Sequence, residues 1–239
     1  RRLQYARLRR LNEQFQIPLA QLSQLNRIEF QSQDQLARVY SQSAGLTHYL
    51  MTGDDGAMRK SLIEFLQLSY QGRLKPDSFE KMIGKSNEEI DAAYVEFLQI
   101  RPGQLDLLSK PATRTELALT SAPLQDHSLR SVGKCSELRW LDLSGCDVTG
   151  DRLSPLTIGR RLEQLFLAGS RVDGVAVRII VQLPIRELDL SGSGITDTEL
   201  ALLAESGSLR SLDVSRTAVT SGGIEDFQSR RPGVELTAN

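Results

Sequence analysis

From residue 117 onward the apolar positions recur on a fixed step. Leu117, Leu141, Leu165, Leu188, Leu212 and Leu236 each open a short L-x-apolar triplet, LxL in the first four, and stand 24, 24, 23, 24 and 24 residues apart. Seven residues after each of the first five come Leu124, Val148, Val172, Ile195 and Val219. Twelve after come Leu129, Leu153, Val177, Leu200 and Ile224, and fifteen after come Val132, Leu156, Ile180, Leu203 and Phe227. Chance does not keep four columns in register over five units. Within a unit the period changes. LxL alternates with period two, which predicts a short strand with both leucines on one face. A pair three residues apart, such as Leu200 and Leu203, suits one face of a helix. One unit alone cannot bury this surface, whereas stacked units share a continuous core.

Before residue 100 the step is absent and the pattern predicts helices. Leu3, Leu8, Leu11 and Phe15 recur at near-helical spacing. Asp34 reads as the N-cap of a helix whose stripe is Leu36, Val39, Leu46, Tyr49 and Leu50. GAMRKSLIEFLQLSYQG repeats the pattern and stops at Gly72. Ser86-Asn87-Glu88-Glu89 is a capping box opening a helix through Leu98. RPGQLDLLSKPATR, with two prolines and a glycine, reads as the boundary. The expected organisation is therefore a helical region over residues 1–100, a linker over 101–115 and the repeats over 116–239. The fold class is α/β.

The repeat resembles the leucine-rich repeat family, whose signature L-x-x-L-x-L-x-x-N/C-x-L is matched by Leu138-Arg139-Trp140-Leu141-Asp142-Leu143-Ser144-Gly145-Cys146-Asp147-Val148. The resemblance covers roughly residues 112–239 and implies a short solenoid with a curved parallel sheet. It also implies that Cys146, Ser170, Ser193 and Thr217, at the N/C position, bond loop backbone as a structural ladder. The last unit departs from the pattern: Gly233 stands where an apolar residue is expected and Val234 follows one later, so RPGVELTAN reads as an abbreviated cap.

Strand alternation also predicts which side chains leave the core. Trp140, Asp142 and Ser144 form one outward row, then Gln164, Phe166 and Ala168, then Glu187, Asp189 and Ser191, then Ser211, Asp213 and Ser215. Trp140 and Phe166 are expected as exposed aromatics on neighbouring strands of the concave face. Asp142, Asp189 and Asp213 recur in one column and give that face a negative cast. Such a surface suits a basic or amphipathic peptide segment. The alternative is that the N-terminal helices, or repeat consensus alone, account for both features, aspartate in LDLS being common in such repeats.

Phe30, YSQSAGLTHYLM, FLQLSYQG and FEKMIGKSNEEIDAAYVEFL together resemble the tail of a bacterial family of the peptidase MA, or gluzincin, superfamily. The resemblance implies that Tyr40 aligns with an oxyanion-donating tyrosine. The catalytic HExxH of that superfamily is absent. The chain has two histidines, His48 and His127, neither with a second histidine four residues away. Either the metal-binding half lies upstream or it has been lost. Without a metal-bound substrate beside it, Tyr40 reads as a packed helix residue.

Bulk properties narrow the classes. The net charge is −1 and the sequence pI about 6.2, which gives no general pull toward nucleic acid or anionic membrane. No run of about 18 apolar residues spans a bilayer. Two cysteines, Cys135 and Cys146, make neither a disulfide framework nor a zinc site. The arginines of RRLQYARLRR alternate with leucines and read as an exposed helical face. The chain opens at Arg1 without methionine, which reads as a fragment or processed product. The expectation is a non-catalytic protein- or peptide-binding module without a cofactor. The competing reading is the C-terminal part of a larger zinc-dependent peptidase.

Overall fold

The computed structural model describes residues 2–32, 34–75, 77–109 and 113–238. The chain divides into two compact units, Arg1–Gln99 and Ile100–Asn239.

The first unit is helical. Its elements are α1 (Arg2–Arg7) continuing into a π-helical turn (Leu8–Asn12), α2 (Leu19–Leu22), α3 (Arg27–Gln31), α4 (Leu36–Thr52), a 3₁₀ turn (Gly53–Gly56), α5 (Arg59–Tyr70), α6 (Ser78–Ile83) and α7 (Asn87–Leu98). Its core gathers Ala6, Leu46, Tyr49, Leu50, Leu62, Ile90, Tyr94 and Leu98. α4 is the spine, and Gly45 lets Ala6 and the Tyr94 ring approach it. A Cβ at Gly45 would stand 2.7 Å from the Ala6 Cβ and 2.5 Å from the Tyr94 hydroxyl. The capping box at Ser86 forms: its side chain accepts from the Glu89 amide, and the Glu89 carboxylate accepts from the Ser86 amide. Asp34 is not the cap of α4. Gln35 occupies that position and makes no side-chain capping bond.

The second unit is α/β and its sheet is entirely parallel. Strands β1 (Glu116–Ala118), β2 (Trp140–Asp142), β3 (Gln164–Phe166), β4 (Glu187–Asp189), β5 (Ser211–Asp213) and β6 (Glu235–Thr237) lie in sequence order. The register places Leu117, Leu141, Leu165, Leu188, Leu212 and Leu236 opposite one another, so the repeated column becomes a ladder. Return segments lie between the strands: α9 (Asp126–Gly133), a 3₁₀ turn (Ser154–Ile158), α10 (Gly174–Val181), α11 (Asp197–Leu203) and α12 (Ser221–Arg230). Leu129, Leu153, Val177 and Leu200 from these segments pack with the inward leucines in one core. The final unit keeps step, with Leu236 facing Leu212 and Val234 buried in place of an apolar residue at 233.

The expected linker is partly core. α8 (Pro102–Leu105) and a 3₁₀ turn (Asp106–Ser109) bring Leu105 and Leu108 into the same cluster as Leu119, Ala122 and Leu129. Residues 100–109 thus add apolar side chains to the N-terminal end of the second unit's core, where the 3₁₀ turn packs against α9.

Candidate interaction face

The leucines of each strand turn inward, so the residues beside them form two outward ladders. One runs Glu116, Trp140, Gln164, Glu187, Ser211, Glu235 and the other Ala118, Asp142, Phe166, Asp189, Asp213, Thr237. No Lys or Arg occurs in either ladder. Acidic residues flank an aromatic pair on this face, Glu116 on β1 and Asp142 on β2 to one side. Trp140 and Phe166 lie on β2 and β3, with ring centroids 5.3 Å apart and planes inclined by 40°. Glu187, Asp189, Asp213 and Glu235 follow on β4 to β6.

Three of the expected exposed residues are buried. Asp142 is 6% exposed, Asp189 8% and Phe166 8%. The physical reason begins with strand spacing: neighbours in one ladder stand only about 4.8 Å apart, so each side chain covers the next. Phe166 lies between Asp142 and Asp189 in register and packs against Trp140. The aspartates are also drawn to backbone. Asp142 accepts from the Ser144 amide (2.8 Å), Asp189 from the Ser191 amide (2.9 Å) and Asp213 from the Ser215 amide (2.8 Å). Each carboxylate therefore fixes the turn that ends its own strand. Burial raises the pKa of Asp142 and Asp189 above the ordinary carboxylate value, against the lowering effect of their serine partners. Ser144, Ala168 and Ser191 are buried too. Trp140, Gln164, Glu187, Ser211 and Asp213 are partly exposed. Gln164 Nε2 donates to the Glu187 carboxylate across β3 and β4.

The loop positions beyond the strands hold backbone. The Cys146 thiol donates to the Leu119 carbonyl at 3.3 Å, and the Cys146 amide donates to Ser170 Oγ at 3.3 Å. Ser170 in turn donates to the Leu143 carbonyl at 2.9 Å. Thr217 bonds locally, donating to the Val214 carbonyl at 2.6 Å. Ser193 Oγ is buried without a partner among the described residues. Burial pushes the Cys146 thiol up to about 12, so it is not a thiolate at neutral pH. Cys135 is buried and free, its sulfur 3.7 Å from the Ser131 carbonyl.

In the first unit Tyr40 is half exposed and meets Phe30 edge-on at 5.1 Å. His48 is exposed and 5.7 Å from the Phe97 ring, and His127 is exposed in the first turn of α9. Among the described residues no group of three or more His, Cys, Asp or Glu could hold a metal ion, and no helix is long and apolar enough to cross a membrane.

A second surface lies outside the positions that strand alternation singles out. Ile63, Leu66 and Tyr70 of α5 form an exposed stripe at three- and four-residue spacing, with Tyr70 92% exposed. Its signal was present, because α5 has apolar residues over more of its circumference than one buried face needs. No protein-family model matches this chain, and none of the curated proteins matches it.

Proposed function

We propose that this chain is a non-catalytic protein- or peptide-binding module, its second unit a short leucine-rich-repeat solenoid and its ligand surface the outward face of β2 to β5. The repeat reading is supported by one strand per repeated unit, added in sequence order with unbroken register. Loop bonds from Cys146 and Ser170 into the preceding unit support it further. The observation that carries the functional reading is an aromatic pair set in an otherwise acidic and polar face. An aromatic pair on β2 and β3 adjoins a run of carboxylates on β4 to β6 with no cation in either ladder. A partner suited to it places an apolar side chain against Trp140 and basic groups against Glu187 and Asp213. The apolar contact supplies affinity, and the charges supply orientation and association rate.

Trp140 is the only tryptophan, so its fluorescence reports on this face alone. Titration with a synthetic Lys- and Leu-rich amphipathic helix should shift its emission to shorter wavelength and saturate. Added salt should weaken the binding by screening, and a Glu- and Leu-rich counterpart should do nothing. Calorimetry with the basic peptide should show Trp140→Ala weakening binding by about 2 kcal/mol. An emission indifferent to both peptides, or equally responsive to both, defeats the assignment.

A further inference from the structure

The geometry points to α5 of a second copy of this chain as an occupant of the outward face of β2 to β5, in a head-to-tail association. This rests on the binding-face reading above and names a partner for it. Three features of the two surfaces match.

The first is apolar chemistry. Ile63, Leu66 and Tyr70 lie on one side of α5 and are exposed, as an amphipathic helix without a complete partner would leave them. Trp140 is the partly exposed aromatic on the sheet face. The second is charge polarity. The basic residues Arg59 and Lys60 open α5, both exposed, and Tyr70 closes it. Lys60 has only a 3.9 Å contact with Glu64, while Arg59 Nε donates to the Met51 carbonyl. On the sheet the aromatics occupy β2 and β3, with Glu116 beyond them on β1, and the solvent-facing carboxylates Glu187, Asp213 and Glu235 occupy β4 to β6. A helix laid across the strands with Tyr70 over Trp140 therefore brings Arg59 and Lys60 toward the carboxylates. The positive end of the α5 macrodipole points the same way.

The third is length. α5 has 12 residues, about 18 Å at 1.5 Å per residue. From β2 to β5 is three strand steps, about 14 Å at 4.8 Å per step. The basic and aromatic ends of the helix thus reach the acidic and aromatic ends of the face together. The two patches lie on different parts of the chain, so the contact is heterologous, and repeated addition gives rings or open chains rather than a closed symmetric pair.

Light scattering on the full chain tests this. Mass should rise with concentration, Trp140 emission should shift in step, and added salt should reverse both. Leu66→Glu, Lys60→Glu and Trp140→Ala should each weaken self-association by about tenfold or more, with unchanged far-ultraviolet circular dichroism. The decisive experiment mixes two variants. Leu66→Glu keeps the sheet face and loses the helix stripe, whereas Trp140→Ala keeps the stripe and loses the face. Head-to-tail contact requires that neither associates alone and that the mixture stops at a one-to-one pair. The remaining tryptophan, on the Leu66→Glu chain, should shift on mixing.

A mixture that stays monomeric overturns the proposal, as does a wild-type chain that stays monomeric or a Trp140 shift independent of concentration. Binding of the Lys- and Leu-rich peptide to the Leu66→Glu chain separates the two claims. If it persists while self-association is absent, only the self-association fails. If it too is absent, the binding-face reading fails with it.

Discussion

At the residue scale, Asp189 shows what alternation can and cannot reveal. Alternation places it on the outward side of β4, and the register keeps it there between Phe166 and Asp213. It does not reveal that neighbours in the same ladder close over the side chain, or that the carboxylate turns to the Ser191 amide. Burial favours the neutral acid and, with a smaller contribution from Asp213 and Asp142, raises the pKa above its ordinary value. The folded state then binds the proton more tightly than the unfolded state. Between the ordinary and the raised pKa this residue's contribution to stability falls as pH rises, and at neutral pH its charge opposes folding. Asparagine keeps the accepting oxygen and removes the charge. Asp189→Asn should therefore be at least as stable as the parent at neutral pH, and any advantage should vanish once the pH falls below the ordinary carboxylate value. Asp189→Ala should cost about 1 kcal/mol by leaving the Ser191 amide unpaired. Denaturant unfolding at two pH values distinguishes these outcomes. An asparagine variant as weak as the alanine variant at neutral pH would show that the charge itself holds the turn.

At the element scale, the columns that bury apolar groups are legible in the sequence, and so is the loop ladder at the Cys146 position, but two further columns that steer the backbone are not. Four residues past each opening leucine stand Ser121, Gly145, Gly169, Gly192 and Arg216, every one with positive φ. In the first four the amide donates across to the next unit, to the Ser144, Ala168, Ser191 and Ser215 carbonyls. Three glycines hint at this requirement, but serine and arginine meet it at the cost of left-handed strain and mask it. The helix starts form another column. Asp173, Thr196 and Thr220, eight residues past the leucine, all accept from the first-turn amides, whereas Gln125 in the same place does not. The repeat that follows β2 breaks uniformity because Pro155 lacks an amide, and its return segment is a 3₁₀ turn. That turn lies hard against the end of α9. A Cβ on Gly133 would stand 2.2 Å from the Pro155 carbonyl oxygen, a contact that only backbone movement relieves. Gly133→Ala should destabilise by about 2 kcal/mol in chemical unfolding, as overpacked sites do. Gly207, with open space where its Cβ would lie, is the control, and its alanine variant should stay within about 0.5 kcal/mol. Equal effects at the two positions would mean that α9 and the turn yield freely.

At the scale of the whole chain, the two compact units were legible because the periodicity changes between them, yet the role of the stretch that follows the change was not. Pro102, Gly103 and Pro111 argue for a linker by composition. Composition is silent on where Leu105 and Leu108 go, because two leucines make no periodic signal. Both are buried in the core of the second unit, and Ile100 packs against the same core. The need is physical. A stack of strands ends in an apolar face at its first member, and an uncovered end is unstable and prone to association. Residues 100–109 add apolar side chains at that end from within the second unit. Residues 100–239 alone should therefore unfold in one cooperative transition, whereas residues 113–239, which retain every strand, should lose about 4 kcal/mol or more, since emptying a single buried leucine site costs 2–5 kcal/mol. The shorter piece should also bind a hydrophobic dye and aggregate at concentrations where the longer piece stays in solution. Leu105→Ala with Leu108→Ala in the full chain should reproduce part of that loss without removing any backbone. If the two pieces prove equally stable and equally soluble, this part of the core is dispensable and the segment is the linker that its composition suggests.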